Sequence, residues 1–347
     1  MSAVDGAPGY GSGGTRPWWR RVAGLVGLVA AWTLAVVWLA WAAGALWFDL
    51  PPSWPSGVLA IAYLVATAAA AALVGRRRLL VVLACCALVN AGWLLQAPSN
   101  DRDWQPNVAV QAHAERDGDV VTLYGVRNTD YRTEHDYTVR RKTRVVRLSQ
   151  LQGVDLFLCY WGSPWIAHPF VSFRFADAEP ICFSIETRME RGESYSTFGG
   201  LYRRYELTYS VGEERDFVGL RAIWRQGEDV YLYRLRVGPE RARELFVEYC
   251  EACNELRQHP RFYNVLTNNC TSNIRTHMVA TAERPRPWDW RILMSGKLDE
   301  LLHERGGLVS ELPIEQLKPR CLVDDAARRH VDAPDFSQRI RQGVPGF

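Results

Sequence analysis

Three stretches of this 347-residue chain lack any Asp, Glu, Lys or Arg: Val22 to Phe48, Gly57 to Gly75 and Leu79 to Ala97. Each holds about 19 residues or more, enough at about 1.5 Å per residue to cross a hydrocarbon core of about 30 Å. A helix in a soluble core keeps a polar side, so three runs apolar all round exclude that reading. A cleaved signal peptide would explain only the first run, and no small-residue cleavage pattern precedes Pro51. All three are therefore expected to be permanent spans, over residues 22–97. The chain also lacks a charge excess: its formal charge is +3, part of it next to the spans, which excludes a nucleic-acid-binding role. Cysteine is too sparse for a disulfide scaffold. Two of the eight, Cys85 and Cys86, lie in the third run and the other six are spread over the remaining 250 residues or so. Cys250 and Cys253 form a single CxxC with no second pair, so packing is expected there and neither metal nor cofactor. There is no internal repeat, and low complexity is confined to the Gly- and Ser-rich first sixteen residues, within an expected disordered tail of 1–21.

The basic residues orient the spans. Arg16, Arg20 and Arg21 precede the first, Arg76, Arg77 and Arg78 fill the loop between the second and third, and residues 49–56 between the first and second contain no Lys or Arg. By the preference of Lys and Arg for cytoplasmic loops, the N-terminus is inside and everything after Ala97 is outside, as one domain over 98–347.

That domain reads as α+β. Val120, Val121, Leu123 and Val126 follow the turn residues Asp117-Gly118, and Tyr137 to Val146 alternates with basic residues. In Pro169, Val171, Phe173 and Phe175 the odd positions are apolar. Ile181, Phe183, Ile185 and Thr187 repeat the pattern after a turn at Asp177 to Pro180, giving a hairpin with one buried face. If Phe175 pairs with Ile181, Val171 lies opposite Ile185 and His168 opposite Arg188. The other face then carries His168, Phe170, Ser172 and Arg174 beside Cys182, Ser184, Glu186 and Arg188, with Glu186 a diagonal neighbour of His168. A one-residue slip would destroy that juxtaposition. Gly238-Pro239 opens a helix to about Gln258, striped with Ala242, Leu245, Phe246, Tyr249, Cys250, Cys253 and Leu256 and stopped by His259-Pro260.

The run Thr267-Asn268-Asn269-Cys270-Thr271 places a cysteine behind a favoured N-cap residue. Free amides and the helix dipole at that position stabilise a thiolate and lower its pKa. A thiolate nucleophile needs a base and a group that orients it, and His168 with Glu186 supplies both. The Cys270 amide, helped by Asn268 or Asn269, would hold an oxyanion. Single cysteines and lone histidines are more often structural, and His277, two turns along from Cys270, is the chief rival base.

At these residues a family resemblance becomes usable. Asn100-Asp101-Arg102-Asp103-Trp104, Val126-Arg127-Asn128 with Tyr131, His168-Pro-Phe-Val-Ser-Phe, Ser184-Ile-Glu-Thr-Arg188, Glu214-Arg215-Asp216, Leu220-Arg221, and Tyr263-Asn264 followed by Thr267-Asn-Asn-Cys-Thr271 resemble the Lnb N-terminal periplasmic domain family. The resemblance extends over about Ser99 to Ser337. It implies a bacterial inner-membrane protein whose periplasmic domain has a circularly permuted papain-like (NlpC-type) fold, with the histidine strand ahead of the cysteine helix. Pro169 stands where that family has Thr or Ser after the histidine.

The family takes its name from a lipoprotein N-acyltransferase. The resemblance thus implies a cysteine acyltransferase acting through a thioester on phospholipid or lipoprotein esters, with Cys270, His168, Glu186 and Asn269 in catalysis. Arg188, Asn268 and Tyr263 are expected at the substrate, the guanidinium of Arg188, like that of Arg191, suited to a lipid phosphate. Arg215, Asp216 and Arg221 are expected to form an ion-pair network that shapes the site. The same residues also suit a cell-envelope peptidase or amidase, and a non-catalytic binding domain is the third alternative.

Overall fold

The computed structural model describes residues 18–51, 53–282 and 286–347. The expected tail as far as residue 17, with Arg16, lies outside the described residues. The chain divides into two compact units, the second spanning Ala97–Phe347.

In the first unit the uncharged runs form helices α1 (Trp18–Phe48), α2 (Ser56–Leu73) and α3 (Arg78–Leu95), each long and apolar enough to cross a membrane. Helix α1 begins ahead of the uncharged run, so Arg20 and Arg21 sit in its first turns rather than in the tail. Arginine is a good helix former whose long stem lets the charge reach water. The three helices pack on one another through small and medium side chains, among them Ala35, Val82 and Cys86. Trp93 Nε1 donates to Asp49 Oδ2 at 2.7 Å, which satisfies the carboxylate just beyond α1.

The second unit is built on an eight-stranded sheet. Its strands are β1 (His113–Asp117), β2 (Val120–Arg127), β5 (Arg141–Arg147), β6 (Leu151–Trp161), β7 (Ala167–Phe175), β8 (Ile181–Arg188), β9 (Glu206–Gly212) and β10 (Glu228–Arg234); β3 (Asp130–Tyr131) and β4 (Tyr137–Thr138) pair separately. The order is β1-β2-β9-β8-β7-β6-β10 with β5 also on β2, antiparallel except between β2 and β9. Gly118, at φ +58°, makes the β1–β2 turn where Asp117-Gly118 predicts one.

The β7–β8 hairpin departs from the predicted register by two residues: Phe173, not Phe175, pairs with Ile181, and Phe170 pairs with Ser184. The end of β7 is held by β6 instead, where Phe175 pairs with Leu151. A shift of two preserves which face each side chain occupies, whereas a shift of one would have exchanged them. Continued two residues, this register sets Glu186 directly opposite His168 rather than diagonal to it.

Neither hairpin face is open, which corrects the expectation of one buried face. Helix α5 (Pro239–Gln258) covers the odd side, where Phe173 and Phe183 meet the edges of Phe246 and Tyr249 at 5.1–5.7 Å. Every apolar residue of its predicted stripe is buried, Cys250 and Cys253 included. Helix α4 (Glu214–Gly219) and the π-helical turn Leu220–Trp224 cover the even side, with Phe217 against Phe170 at 5.8 Å. A Cβ on Gly212 would come within 2.5 Å of the Phe217 ring, so that close approach requires glycine. Helix α6 (Cys270–Ala280) packs on β7, β8 and α5, and α7 (Leu298–Glu304), α8 (Ile314–Arg320), α9 (Asp324–His330) and α10 (Phe336–Arg339) complete the unit.

Candidate functional site

Cys270 is the first residue of α6, and the local sequence fixes it there. Asn269 is the N-cap: its side chain accepts from the Ser272 amide while Ser272 Oγ accepts from the Asn269 amide, a reciprocal capping box. The Asn269 amide group also donates to Val265 O at 2.6 Å. Asn268 donates to Phe262 O and accepts from Asn273 Nδ2. Both asparagines are thus engaged in building the turn. Expected as oxyanion donors or substrate contacts, they position Cys270, each committing its amide oxygen and one amide N–H to the loop-to-helix junction. The backbone amides of Cys270 and Thr271, left without helical partners at the N-terminus, remain beside the sulfur.

The half-buried thiol does not carry the lowered pKa that a helix N-terminus suggests. Burial raises it to about 11, over the opposing pull of the Thr271 hydroxyl and the two amides, and the Glu186 carboxylate adds to the rise. Its sulfur contacts Thr271 Oγ1 at 3.9 Å. Among the described residues no hydrogen bond joins Cys270 to His168.

His168 lies on β7 with little exposure, and burial, reinforced by Arg221, lowers its pKa to about 3. The imidazole is therefore neutral, and its hydrogen bonds specify which nitrogen holds the proton. His168 Nε2 lies 2.7 Å from Ser184 Oγ, and that hydroxyl donates to Glu186 Oε1 at 2.8 Å. A hydroxyl has one hydrogen, so Ser184 accepts from Nε2–H, and Nδ1 is left as the basic nitrogen. Glu186 lies 3.8 Å from Nε2, too far for a direct bond, so Ser184 relays between them. Ser184 was placed on this face by its period-two position, but its role becomes visible only in the true register.

Burial opposes a charge on Glu186, yet Arg127 and Arg221 overcome it and hold the pKa near 2. Arg221 NH2 reaches Glu186 Oε1 at 3.1 Å, and Ser210 Oγ donates to Oε2 at 3.1 Å. Asp216 in turn accepts from Arg127 Nε, Thr129 N and Tyr131 OH, and Arg215 donates to Asn128. The expected Arg215–Asp216–Arg221 residues thus pair separately: Arg221 with Glu186, Asp216 with Arg127, and Arg215 with Asp130 at a partly exposed position.

Arg188, expected at the substrate, is committed elsewhere. It is buried on the ring of Trp104 and donates to Val108 O, Ala109 O and Asn100 Oδ1, clamping the chain that enters the domain. Arg191 pairs with Asp103 in the open. Tyr263 is buried beside Cys270, and together with Tyr195 its phenol borders the thiol. The rival His277 is occupied at both ring nitrogens, by Tyr209 OH at 2.6 Å and Glu248 at 3.4 Å, deep in the α5–α6 contact.

The elements carrying the thiol, the imidazole and the carboxylate are therefore in mutual contact, α6 on β7 and β8. Residues 137–296 match the model of the Lnb N-terminal periplasmic domain. The matched stretch contains His168, Ser184, Glu186, Arg221 and Cys270, while Asn100–Trp104 and Val126–Tyr131 precede it. No curated protein and no solved structure matches the chain. Residues 137–296, within the unit that follows the three apolar helices, are thus similar to the Lnb N-terminal periplasmic domain, and the match together with those helices makes this a membrane protein with a periplasmic domain.

Proposed function

We propose that this is a cysteine acyltransferase of the bacterial inner membrane, its N-terminus cytoplasmic, acting on acyl esters of phospholipids or lipoproteins. The observation that carries the reading is the polar chain His168–Ser184–Glu186–Arg221, which leaves Nδ1 of a neutral imidazole free on a strand packed against the helix that begins at Cys270. The Arg-rich turn at residues 76–78 and the absence of Lys and Arg from 49–56 support the orientation. The order of histidine strand before cysteine helix supports a permuted papain-like arrangement.

In this mechanism the Cys270 proton passes to His168 Nδ1 as the sulfur attacks the ester carbonyl. The tetrahedral oxyanion is met by the amides of Cys270 and Thr271. Collapse returns the proton to the departing alcohol oxygen and leaves a thioester on Cys270. An amine then attacks the thioester, His168 takes its proton, and the thiol is restored as the amide departs. Ser184 and Glu186 keep Nε2 protonated throughout, and the carboxylate stabilises the imidazolium formed in each half. Among the described residues no hydrogen bond joins Cys270 to His168, so in this mechanism the proton transfer takes place in the substrate complex, where such bonds tighten.

A lipid-tailed thiol-reactive probe added to membranes is expected to label the protein, and Cys270→Ala to abolish labelling. Labelling that persists in the variant overturns the assignment. Mass spectrometry of lipoprotein N-termini from cells with and without the protein tests the acceptor: an amide-linked chain that depends on the protein is expected, and no difference rules out N-acylation.

A further inference from the structure

The outer domain exposes an apolar surface where the chain enters from the third span. Tyr195, Phe198, Leu201 and Leu266 are 45%, 70%, 39% and 56% exposed, large values for side chains of this size on a folded domain. They belong to two loops, one before β9 and one before α6, that are tied together: Val265 N donates to Gly200 O and Asn264 Nδ2 to Leu201 O. A Cβ on Gly200 would meet Val265 and the Tyr263 ring at 3.5 and 3.6 Å, so the loops are in contact.

This surface is connected to the membrane tether through a short series of bonds. Helix α3 ends at Leu95, and Ser99 is already bonded into the domain, its amide donating to Glu206 Oε1 at 3.1 Å. Asn100 donates to the last carbonyls of α5. Glu206 bridges to Phe262, and its neighbour Tyr205 accepts from the Tyr263 amide, next to Gly200. Four extended residues reach at most about 14 Å, which is the longest the tether between α3 and Ser99 can be. Aromatic and aliphatic side chains such as these partition to the lipid–water boundary.

We propose that the 195–201 and 264–267 loops dock into the surface of the membrane crossed by the three helices, with Phe198 and Leu266 entering its headgroup region. The same loops border Tyr195 and Tyr263 and hence Cys270. Docking would open the thiol toward lipid rather than toward bulk water. The docking itself rests on the tether and the exposed side chains and is independent of the chemistry proposed for Cys270.

The test is spin-label accessibility in the full chain. In a Cys85→Ala, Cys270→Ala background, Phe198→Cys is labelled with a nitroxide and reconstituted in vesicles of phosphatidylethanolamine with phosphatidylglycerol. Glu311→Cys, at a site 94% exposed in its side chain, serves as the aqueous reference. The label at 198 is expected to be about fivefold less accessible to a water-soluble nickel chelate than the label at 311, while colliding more with dissolved oxygen. Equal nickel accessibility at both sites overturns the proposal. Shielding of position 198 from both reagents also overturns it, since it would assign the patch to a protein contact. Because this background lacks the thiol, either failure leaves the proposed chemistry standing, and loss of the chemistry leaves the docking result standing.

Discussion

At Cys270 a helix N-terminus favours the thiolate while burial and the Glu186 carboxylate oppose it, and burial is the larger effect. Alkylation by a small neutral reagent should therefore be slow at pH 7 and accelerate about tenfold per pH unit towards a midpoint near 11, read by mass spectrometry of the peptide containing residue 270. A plateau already reached near neutral pH would show that the helix terminus dominates. His168 and Glu186 make a second, separable prediction. Both folded pKa values lie below their unfolded ones, so in both cases the unfolded chain binds protons first on acidification and stability falls with pH. For His168 the loss runs from about 6.5 down to about 3, and for Glu186 from about 4.5 down to about 2. Thermal melts of His168→Gln should lose the decline between pH 6.5 and 4.5 while keeping the steeper one below it. An unchanged upper slope would show that other groups govern it. None of these directions is legible in the sequence, which reveals a cysteine behind an N-cap and a histidine on a strand but not the degree of burial of either.

Elements were legible where one period governs them. The uncharged runs gave the spans because lipid tolerates few charges, and the α5 stripe and the alternation along β7 and β8 followed from periods of 3.6 and two. The hairpin register was not legible, since Phe175 has an equally suitable partner in Leu151 of β6, and local pattern cannot choose between neighbours that are distant in sequence. The α6 junction lies between these cases. The sequence marks Asn269 as a cap, yet its second bond, to Val265 O, requires the loop's three-dimensional path. Asn269→Ala should remove both and lower stability by about 2 kcal/mol, at the high end for a lost cap, with slower probe capture at Cys270. Asn269→Asp keeps the acceptor for the Ser272 amide and loses only the donor to Val265, so its loss should be intermediate. Equal stability of all three proteins, measured by chemical unfolding, would remove the cap from the account of how Cys270 is placed.

Across the outer domain, the even face of the sheet is joined to the chain's last turns by charge. Arg341 donates to Asp155 Oδ2 from Nε and NH2 at 3.1 and 2.8 Å, and to Glu214 Oε2 at 2.7 Å, while Ser172 donates to Glu214 from the sheet. Asp155 is on β6 and Glu214 opens α4, the element that covers Phe170 and leads directly to Arg221. A residue near the C-terminus thus fixes the helix that leads into the turn carrying Arg221, the charge beside Glu186. Nothing in the sequence announces this, because the partners are 186 and 127 positions apart and share no period. Both carboxylates are fully buried, so removing the guanidinium strands two negative charges that Arg174 and, at longer range, Arg234 offset only at Asp155. Arg341→Ala should cost about 3–5 kcal/mol, the range for breaking a buried pair from one side. Arg341→Lys, which keeps the charge but not the planar fork, should recover part of it. If the connection to the site is real, a partly destabilised Arg341→Lys protein that remains folded should also capture the lipid-tailed probe more slowly, since α4 and Arg221 would no longer be held in place. Undiminished capture in a folded variant would confine Arg341 to stability alone.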